Sequence, residues 1–273
     1  MSTLFEKQDT YKNNSLCSFF RKIGGEWVKQ SAVKATVKAT DKPYLTFSSA
    51  KPFSMGVQNA QKNWDGTLYY STDTETWSEW DGTTSIESEY AGSGHLYPHR
   101  LYMRGVGNSV ITGELWRGFV FTDNAICCDG NIESLLDCDM VAKGEHPRMS
   151  DFCFAGLFHS TGLITPPHLP STDLSRYCYY CMFYSTGLVV LPTLPATTLQ
   201  EGCYVSMFAY CSYIKMSTTL GGGYSEPYRI PPFGTADSNP NNNRTSGMFY
   251  NTGGTFKGTP AINTTYYTLN SIR

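Results

Sequence analysis

Apolar positions in the second half of the chain return with one long period, neither helical nor strand-like. From Cys128 onward the sequence aligns with itself at an interval of 25 residues. Phe158, Phe183 and Phe208 fall in one row, Leu157, Met182 and Met207 in a second, and Met149, Leu174 and Leu199 in a third. Leu163 matches Leu188, Ile164 matches Val189 and Ile214, and Cys128, Cys153, Cys178 and Cys203 make a further row. A position that is apolar in every copy has the next copy to cover it, so the period predicts stacked coils over residues 126–273. Rows that change freely, His159 with Tyr184 and Ala209, and Ala155 with Tyr180 and Val205, are expected to face outward.

Within one copy, Leu199, Cys203 and Met207 stand at i, i+4 and i+8, the spacing of one face of a short helix, with Thr197-x-x-Gln200 as its capping box. Pro192 and Pro195 prevent a helix from entering from the preceding side. "GLVVLP" is short and β-branched, so it reads as one strand of a parallel stack. The predicted unit is strand, proline corner, short helix. "MFYNTG" at 248–253 is the last copy, because Phe208 to Phe249 is 41 residues, one period plus 16. The excess falls in a loop-like insertion at about 217–246, and the polar "INTTYYTLNSIR" is read as a C-terminal cap.

Upstream, from Tyr44 to Asp123, the period shortens to two. Alternation in "TLYYS" and "RLYMRG", with Asp-Gly at 65–66 and 81–82, predicts antiparallel hairpins and a small β-sandwich over 43–125. Residues 1–42 carry eight Lys/Arg against four acids and show neither period. They read as an N-terminal arm that orders on a partner, or as a solvated tail. The fold class expected is therefore mainly β with short helices, a small antiparallel sandwich followed by a solenoid of 25-residue repeats.

Composition agrees. Of 273 residues only 16% are charged, while Tyr (19), Phe (15), Gly (25) and Pro (14) are plentiful, which suits strands and turns. A net charge of −2 supplies no field for nucleic acid. No apolar run reaches the roughly 18 residues of a spanning helix, so no membrane insertion is expected. The first residues lack the apolar core of a secretory signal, so the protein is expected to be made in a cytoplasm and to stay there until released. Nine cysteines without such a signal read as buried thiols, not disulfides. "ICCDG" and "YCYYC" have no second ligand pair at zinc-finger spacing.

Candidate chemistry is sparse. Cys153 and His159 could form a thiol–imidazole pair, but the cysteine row points inward. His95 and His99 are separated by Pro98, which favours a turn over a metal-binding helix face. "GGGY" at 221–224 lacks the Lys-Ser/Thr of a phosphate loop. Glu79, Asp81 and Glu87 are the acids available for glycoside hydrolysis, although acidic turn residues are the commoner explanation of them. No catalytic residue, cofactor or metal is expected. The surface remains. Tyr179, Tyr180, Tyr184, Tyr204 and Tyr210 lie in or beside the variable rows and are the candidate ligand-binding residues, since tyrosines give wide, stiff, amphipathic contact area. Trp77 and Trp80 offer a sugar-stacking platform, with at least one of them expected to fill the sandwich core.

"NIESLLD…GEHPRMSDFCFAGLF", "LPATTL…CYVSMF" and "NTGGTFKGTPAINTTYY" resemble BspA-like leucine-rich-repeat surface proteins of gut bacteria, and more specifically the versions carried by their phages and prophages. The resemblance covers about 45–273, including the "YSTD…W…WDGT…LYMRG" wording that precedes the repeats there. It implies a non-enzymatic attachment module and carries over no fixed binding residues. Bacterial members are usually exported, and this chain departs from them in lacking a signal. The function expected is a virion appendage of a gut bacteriophage: a tail fibre, head fibre or capsid decoration. Residues 1–42 would dock on a virion structural protein, and the sandwich and solenoid would bind a host cell-surface glycan or protein. A homo-oligomer, most simply a trimer, would add avidity. The alternatives are a bacterial cell-surface adhesin and, in a different class, a glycan-cleaving enzyme.

Overall fold

The computed structural model describes residues 5–6, 19–23, 26–30, 42–189, 191–192, 194–196, 198–214 and 244–252. The chain divides into two compact units, 1–41 and 42–273. In the first, three short strands pair antiparallel in chain order: β1 (Phe5–Glu6), β2 (Phe19–Ile23) and β3 (Glu26–Gln30). The segment read as an unpatterned arm thus contains regular pairing, in full register from Phe19 opposite Gln30 to Ile23 opposite Glu26. The insertion and cap expected at about 217–246 and beyond residue 252 lie outside the described residues for the most part.

The second unit is mainly β, with two sheets and very little helix. Its strands are β4 (Leu45–Ser49), β5 (Ser54–Val57), β6 (Thr67–Ser71), β7 (Ser78–Trp80), β8 (Ile86–Glu87), β9 (Glu89–Tyr90), β10 (His99–Val106), β11 (Phe119–Phe121), β12 (Ile126–Asp129) and β13 (Leu163–Thr165). The larger sheet runs β13-β12-β4-β10-β6-β7 with β9 also on β10, and the smaller runs β11-β5-β8. All pairings are antiparallel except β12 with β13. Alternation sends Leu45 and Phe47 of β4, Leu68 of β6, and Leu101 and Met103 of β10 into one core. There they meet Met55, Ile86 and Phe119 of the smaller sheet. Phe47 touches Phe119 and Phe121 at ring-centroid distances of 6.3 and 5.3 Å, and Trp80 stacks on Trp64 at 5.3 Å.

Two details differ from the sequence reading of this region. Neither Asp-Gly step closes a hairpin. Asp65 accepts bonds from the Ser109 and Val110 backbone N–H groups and from the Ser109 hydroxyl, which clamps a distant loop. Asp81-Gly82 instead carries the chain from β7 in the larger sheet to β8 in the smaller. In addition, the boundary at 125/126 is not a physical one. β12 pairs with β4 on one side and β13 on the other, so the larger sheet runs straight into the repeat region, and 42–273 is one unit with one core.

In the repeat region the predicted short helix does not form. Segments 151–160, 176–185 and 201–210 are runs of turns. Every fourth residue takes positive φ: Phe152, Gly156 and Ser160; Tyr177, Cys181 and Ser185; Gly202, Ser206 and Tyr210. A left-handed residue at each fourth position breaks an α-helix. The helical i→i−4 bonds are replaced by two others: i→i−3 closures such as Leu157 N–H to Phe154 C=O at 3.2 Å, and bonds to the next copy such as Phe158 N–H to Met182 C=O at 2.9 Å. The i, i+4, i+8 spacing is real, but a four-residue turn produces it. The strand of the predicted unit is also shorter than expected: β12 and β13 are the parallel pair, continued by a bond from Val189 N–H to Ile164 C=O at 3.1 Å.

The copies nonetheless stack in register. Phe158, Phe183, Phe208 and Phe249 form one column with ring steps of 5.6, 5.6 and 5.4 Å. Phe208 N–H donates to Met248 C=O at 2.9 Å, so "MFYNTG" packs directly on the copy that ends before the insertion. Cys153, Cys178 and Cys203 are buried, and burial pushes all three thiols up, Cys203 to about 12. They form no disulfide. Cys128 stands outside this column, in β12 opposite Phe47 of β4. The period fails there because η1 (Ile132–Leu135, a 3-10 helix) and α1 (Cys138–Ala142) lengthen the first copy, so that Ile126 pairs with Leu163.

Candidate functional site

The predicted binding residues separate into two groups. Tyr179, Tyr204 and Trp80 are only 1, 2 and 3% exposed and cannot meet a ligand. Tyr179 stacks between Phe154 and Tyr204 at 5.8 and 6.0 Å, an inner column parallel to the phenylalanine one. Their hydroxyls do not change the fact that a ring is needed at that row in each copy. Tyr180, Tyr184 and Trp77 are half-buried, and Tyr210 is exposed. The rows assigned to the surface are also partly closed: Ala155, His159 and Ala209 are buried.

His159 is buried because it belongs to a line of rings. Trp116 lies edge-on to His159 at 4.3 Å, His159 stacks on Tyr184 at 4.8 Å, Tyr184 meets Tyr210 at 5.0 Å, and Tyr210 meets Tyr250 at 5.3 Å. The row that follows each column phenylalanine holds His159, Tyr184, Ala209 and Tyr250. At the third copy alanine leaves a gap, and Tyr210, one residue on at a φ of 61°, fills it. Trp116, Tyr210 and Tyr250 are 57, 38 and 46% exposed, so the ladder presents ring surface along the edge of the stack. Ser160 and Ser185 flank it in the open. Burial lowers the His159 pKa, which keeps this part of the ladder uncharged near neutrality. An uncharged line of rings with hydroxyls beside it offers amphipathic ring-face contact area.

Tyr250 and Trp116 are the ladder members missed in the sequence. Tyr250 could have been found, since three of the four residues in its row are aromatic. Trp116 precedes the repeats, and no periodicity marks it.

The other chemical candidates do not converge. Glu79 and Asp81 line an open depression of about 400 Å³ together with Tyr70, Trp80, Thr84 and Ile86, and Glu87 is elsewhere. The Asp81 carboxylate accepts from the Thr83 N–H at 2.9 Å and its hydroxyl at 2.8 Å, which holds its pKa below the usual carboxylate range. Cys153 and His159 share no hydrogen bond, and the histidine ring is committed to the ladder. His99 opens β10 with its ring on Tyr90 at 5.5 Å, and His95 sits exposed before it. Among the described residues no group of three His, Cys, Asp or Glu side chains could hold a metal ion.

One buried acid was not anticipated. Glu133 of η1 has a fully inaccessible side chain whose Oε2 lies 2.7 Å from His146 Nδ1, while its Oε1 has no hydrogen-bond partner. Desolvation raises its pKa, against the lowering effect of His146. A carboxyl whose folded pKa is raised stabilises the fold below its unfolded pKa of about 4.3 and loses that contribution as pH rises through the folded value. Glu133→Gln is therefore expected to flatten the dependence of stability on pH between 4 and 8, and to equal or exceed the native chain at pH 8. Urea unfolding at pH 4, 6 and 8 tests this; a variant weakened equally at all three would show that the pair with His146 outweighs desolvation.

Compared with family models, curated proteins and solved structures, the chain matches none.

Proposed function

We propose that this protein is a non-enzymatic attachment module whose stacked copies form a solenoid of the BspA-like leucine-rich-repeat type, built onto a small β-sandwich. The in-register phenylalanine column supports the solenoid reading. The ladder of Trp116, His159, Tyr184, Tyr210 and Tyr250, exposed at Trp116, Tyr210 and Tyr250, is the observation that carries the function. Each rung rides on a core coil, so the spacing of the rings is set before any ligand arrives, which reduces the ordering cost of binding. The proposed ligand is a glycan of a host cell surface. The proposed setting is a virion appendage of a gut bacteriophage, a tail or head fibre or capsid decoration. It would be held to a virion structural protein through residues 1–42 and repeated as a homo-oligomer, so that weak contacts multiply.

The test is a screen of purified protein against surface polysaccharides of candidate hosts, followed by titration of the double variant Tyr210→Ala/Tyr250→Ala. Taking each ring contact with the ligand at about 0.5–1.5 kcal/mol, the worth of a pair of aromatic rings, the double variant is expected to bind about 10-fold or more weakly, with thermal unfolding lowered only by the loss of the Tyr184–Tyr210 and Tyr210–Tyr250 contacts. Unchanged affinity for every glycan that binds the native chain would remove the ladder from the function.

A further inference from the structure

The outer face of the larger sheet carries polar groups that neither the core nor the ladder uses. Because Leu101 and Met103 of β10 point into the core, Arg100, Tyr102 and Arg104 point the other way. Pairing registers set Ser48 opposite Arg100, Thr46 and Ser71 opposite Tyr102, and Tyr69 opposite Arg104. Tyr44 packs edge-on to Tyr102 at 5.6 Å and against Trp77 at 5.8 Å. The Arg104 guanidinium lies 4.1 Å from the centre of the Trp77 ring and 6.0 Å from that of Tyr69. The indole is itself held by a bond from Nε1 to Thr74 C=O at 3.1 Å.

Among the described residues, neither guanidinium forms an ion pair. Arg100 Nε, Arg104 Nε and Thr46 Oγ1 are sealed from water without a hydrogen-bond partner. Buried polar atoms are rarely left so, and here three share one face. Three acids stand on the same face, Glu79 opposite Tyr69, Asp129 opposite Thr46 and Glu89 opposite Arg100, all exposed and none in an ion pair with either arginine. The two guanidinium groups of β10 are thus left without a charge partner among the described residues, although acids stand near them.

We infer that this face is a second binding site, for an acidic oligosaccharide whose carboxylates lie against Arg100 and Arg104 and whose rings lie beside Trp77 and Tyr69. A guanidinium held over an indole face still has its Nη groups to donate to a carboxylate as a planar fork, which lysine cannot reproduce. The hydroxyls of Tyr44, Tyr69, Tyr102 and Ser48 meet the needs of a hydroxyl-rich ligand. An acidic peptide fits less well, because β10 is an interior strand with no free edge for strand addition and the face offers rings and hydroxyls in place of an apolar anchor pocket. The choice of a saccharide rests on the proposed attachment role; the unpaired guanidinium groups do not.

The experiment titrates the full chain with trigalacturonate, neutral galactotriose and a Glu-rich hexapeptide at low and physiological salt, by calorimetry and Trp fluorescence. Trigalacturonate is expected to bind at least 10-fold more tightly than either of the others, and added salt to weaken it. Arg104→Gln and Arg100→Gln should each lose 10-fold or more of that affinity, Arg104→Lys should lose most of it, and Tyr210→Ala/Tyr250→Ala should lose none. Circular dichroism confirms folding of each variant, and Arg100→Gln serves if Arg104→Gln does not fold. Equal binding of acidic and neutral sugars, no binding of trigalacturonate, peptide binding as tight as sugar binding, or folded arginine variants with native affinity would each overturn the site. Loss of neutral-glycan binding in the tyrosine double variant reports on the ladder alone, so the two readings fail separately.

Discussion

Phe183→Ala is expected to remove about 3–5 kcal/mol of stability, the range for emptying a buried phenylalanine site that cannot collapse. Phe183 has no exposure and lies 5.6 Å from both Phe158 and Phe208. Its neighbours cannot close the gap, because backbone bonds hold the copies apart: Phe158 N–H to Met182 C=O and Phe183 N–H to Met207 C=O, each at 2.9 Å. Since single domains are stable by only about 5–15 kcal/mol, the loss is about a fifth or more of the total. Its reach is also wide. Phe208 and Phe249 stack in turn beyond Phe183, so residues 198–214 and 244–252 would have their link to the sheets weakened. By contrast Tyr184→Ala, one residue along but on the half-buried ladder, is expected to cost much less. Denaturant unfolding of both variants makes the comparison, and a Phe183→Ala cost below about 1 kcal/mol would show that the column is not a shared core.

That column was legible in the sequence because its cause is repetition: a residue that covers its own copy must recur. What periodicity could not decide was the local backbone. Leu199, Cys203 and Met207 fit a helix of 3.6 residues per turn as well as a turn of four. The small residues at Gly156, Ser160, Ser185, Gly202, Ser206 and Gly247 marked the left-handed positions, but Phe152, Tyr177, Cys181 and Tyr210 occupy equivalent ones and hid the pattern. Tyr179 and Tyr204 were read as surface because tyrosine is amphipathic, although Phe154 in the same row showed that the site requires a ring. The sheets were legible from alternation in "TLYYS" and "RLYMRG". The strand partners were not, since a two-residue period fixes which face is buried and says nothing of which strand lies alongside. Hence Asp65-Gly66 and Asp81-Gly82 carry the sequence mark of hairpin turns without closing one. The arginine face escaped notice for a related reason: Arg100 and Arg104 meet Trp77 and Tyr69 only through β10, β6 and β7 lying side by side.

Gly105→Ala is expected to be more damaging than its size implies, abolishing the folded state or lowering stability by several kcal/mol. Gly105 lies in β10 opposite Leu68, and a methyl group there would overlap the carbonyl of Leu135 and stand 2.7 Å from Asn108 Nδ2. Backbone cannot yield as a side-chain tip would. Moving Leu135 also undoes Asn108, which accepts from Gly66 N–H at 2.6 Å and donates to Thr67 C=O at 2.9 Å and Leu135 C=O at 3.0 Å. Each buried polar group left unpaired adds about 1–3 kcal/mol. Gly107→Ala is the control: its φ of 65° strains an alanine, yet nothing lies within 4 Å of the added carbon, so a loss of about 1–2 kcal/mol is expected. Thermal unfolding of the two variants separates steric overlap from backbone strain. If Gly105→Ala melts as high as Gly107→Ala, the contact between β10 and η1 is looser than this. Should it melt lower, the joint that places η1 and the first repeat against the sheet is also what keeps Arg100 and Arg104 in line on their strand, and trigalacturonate affinity should fall with it.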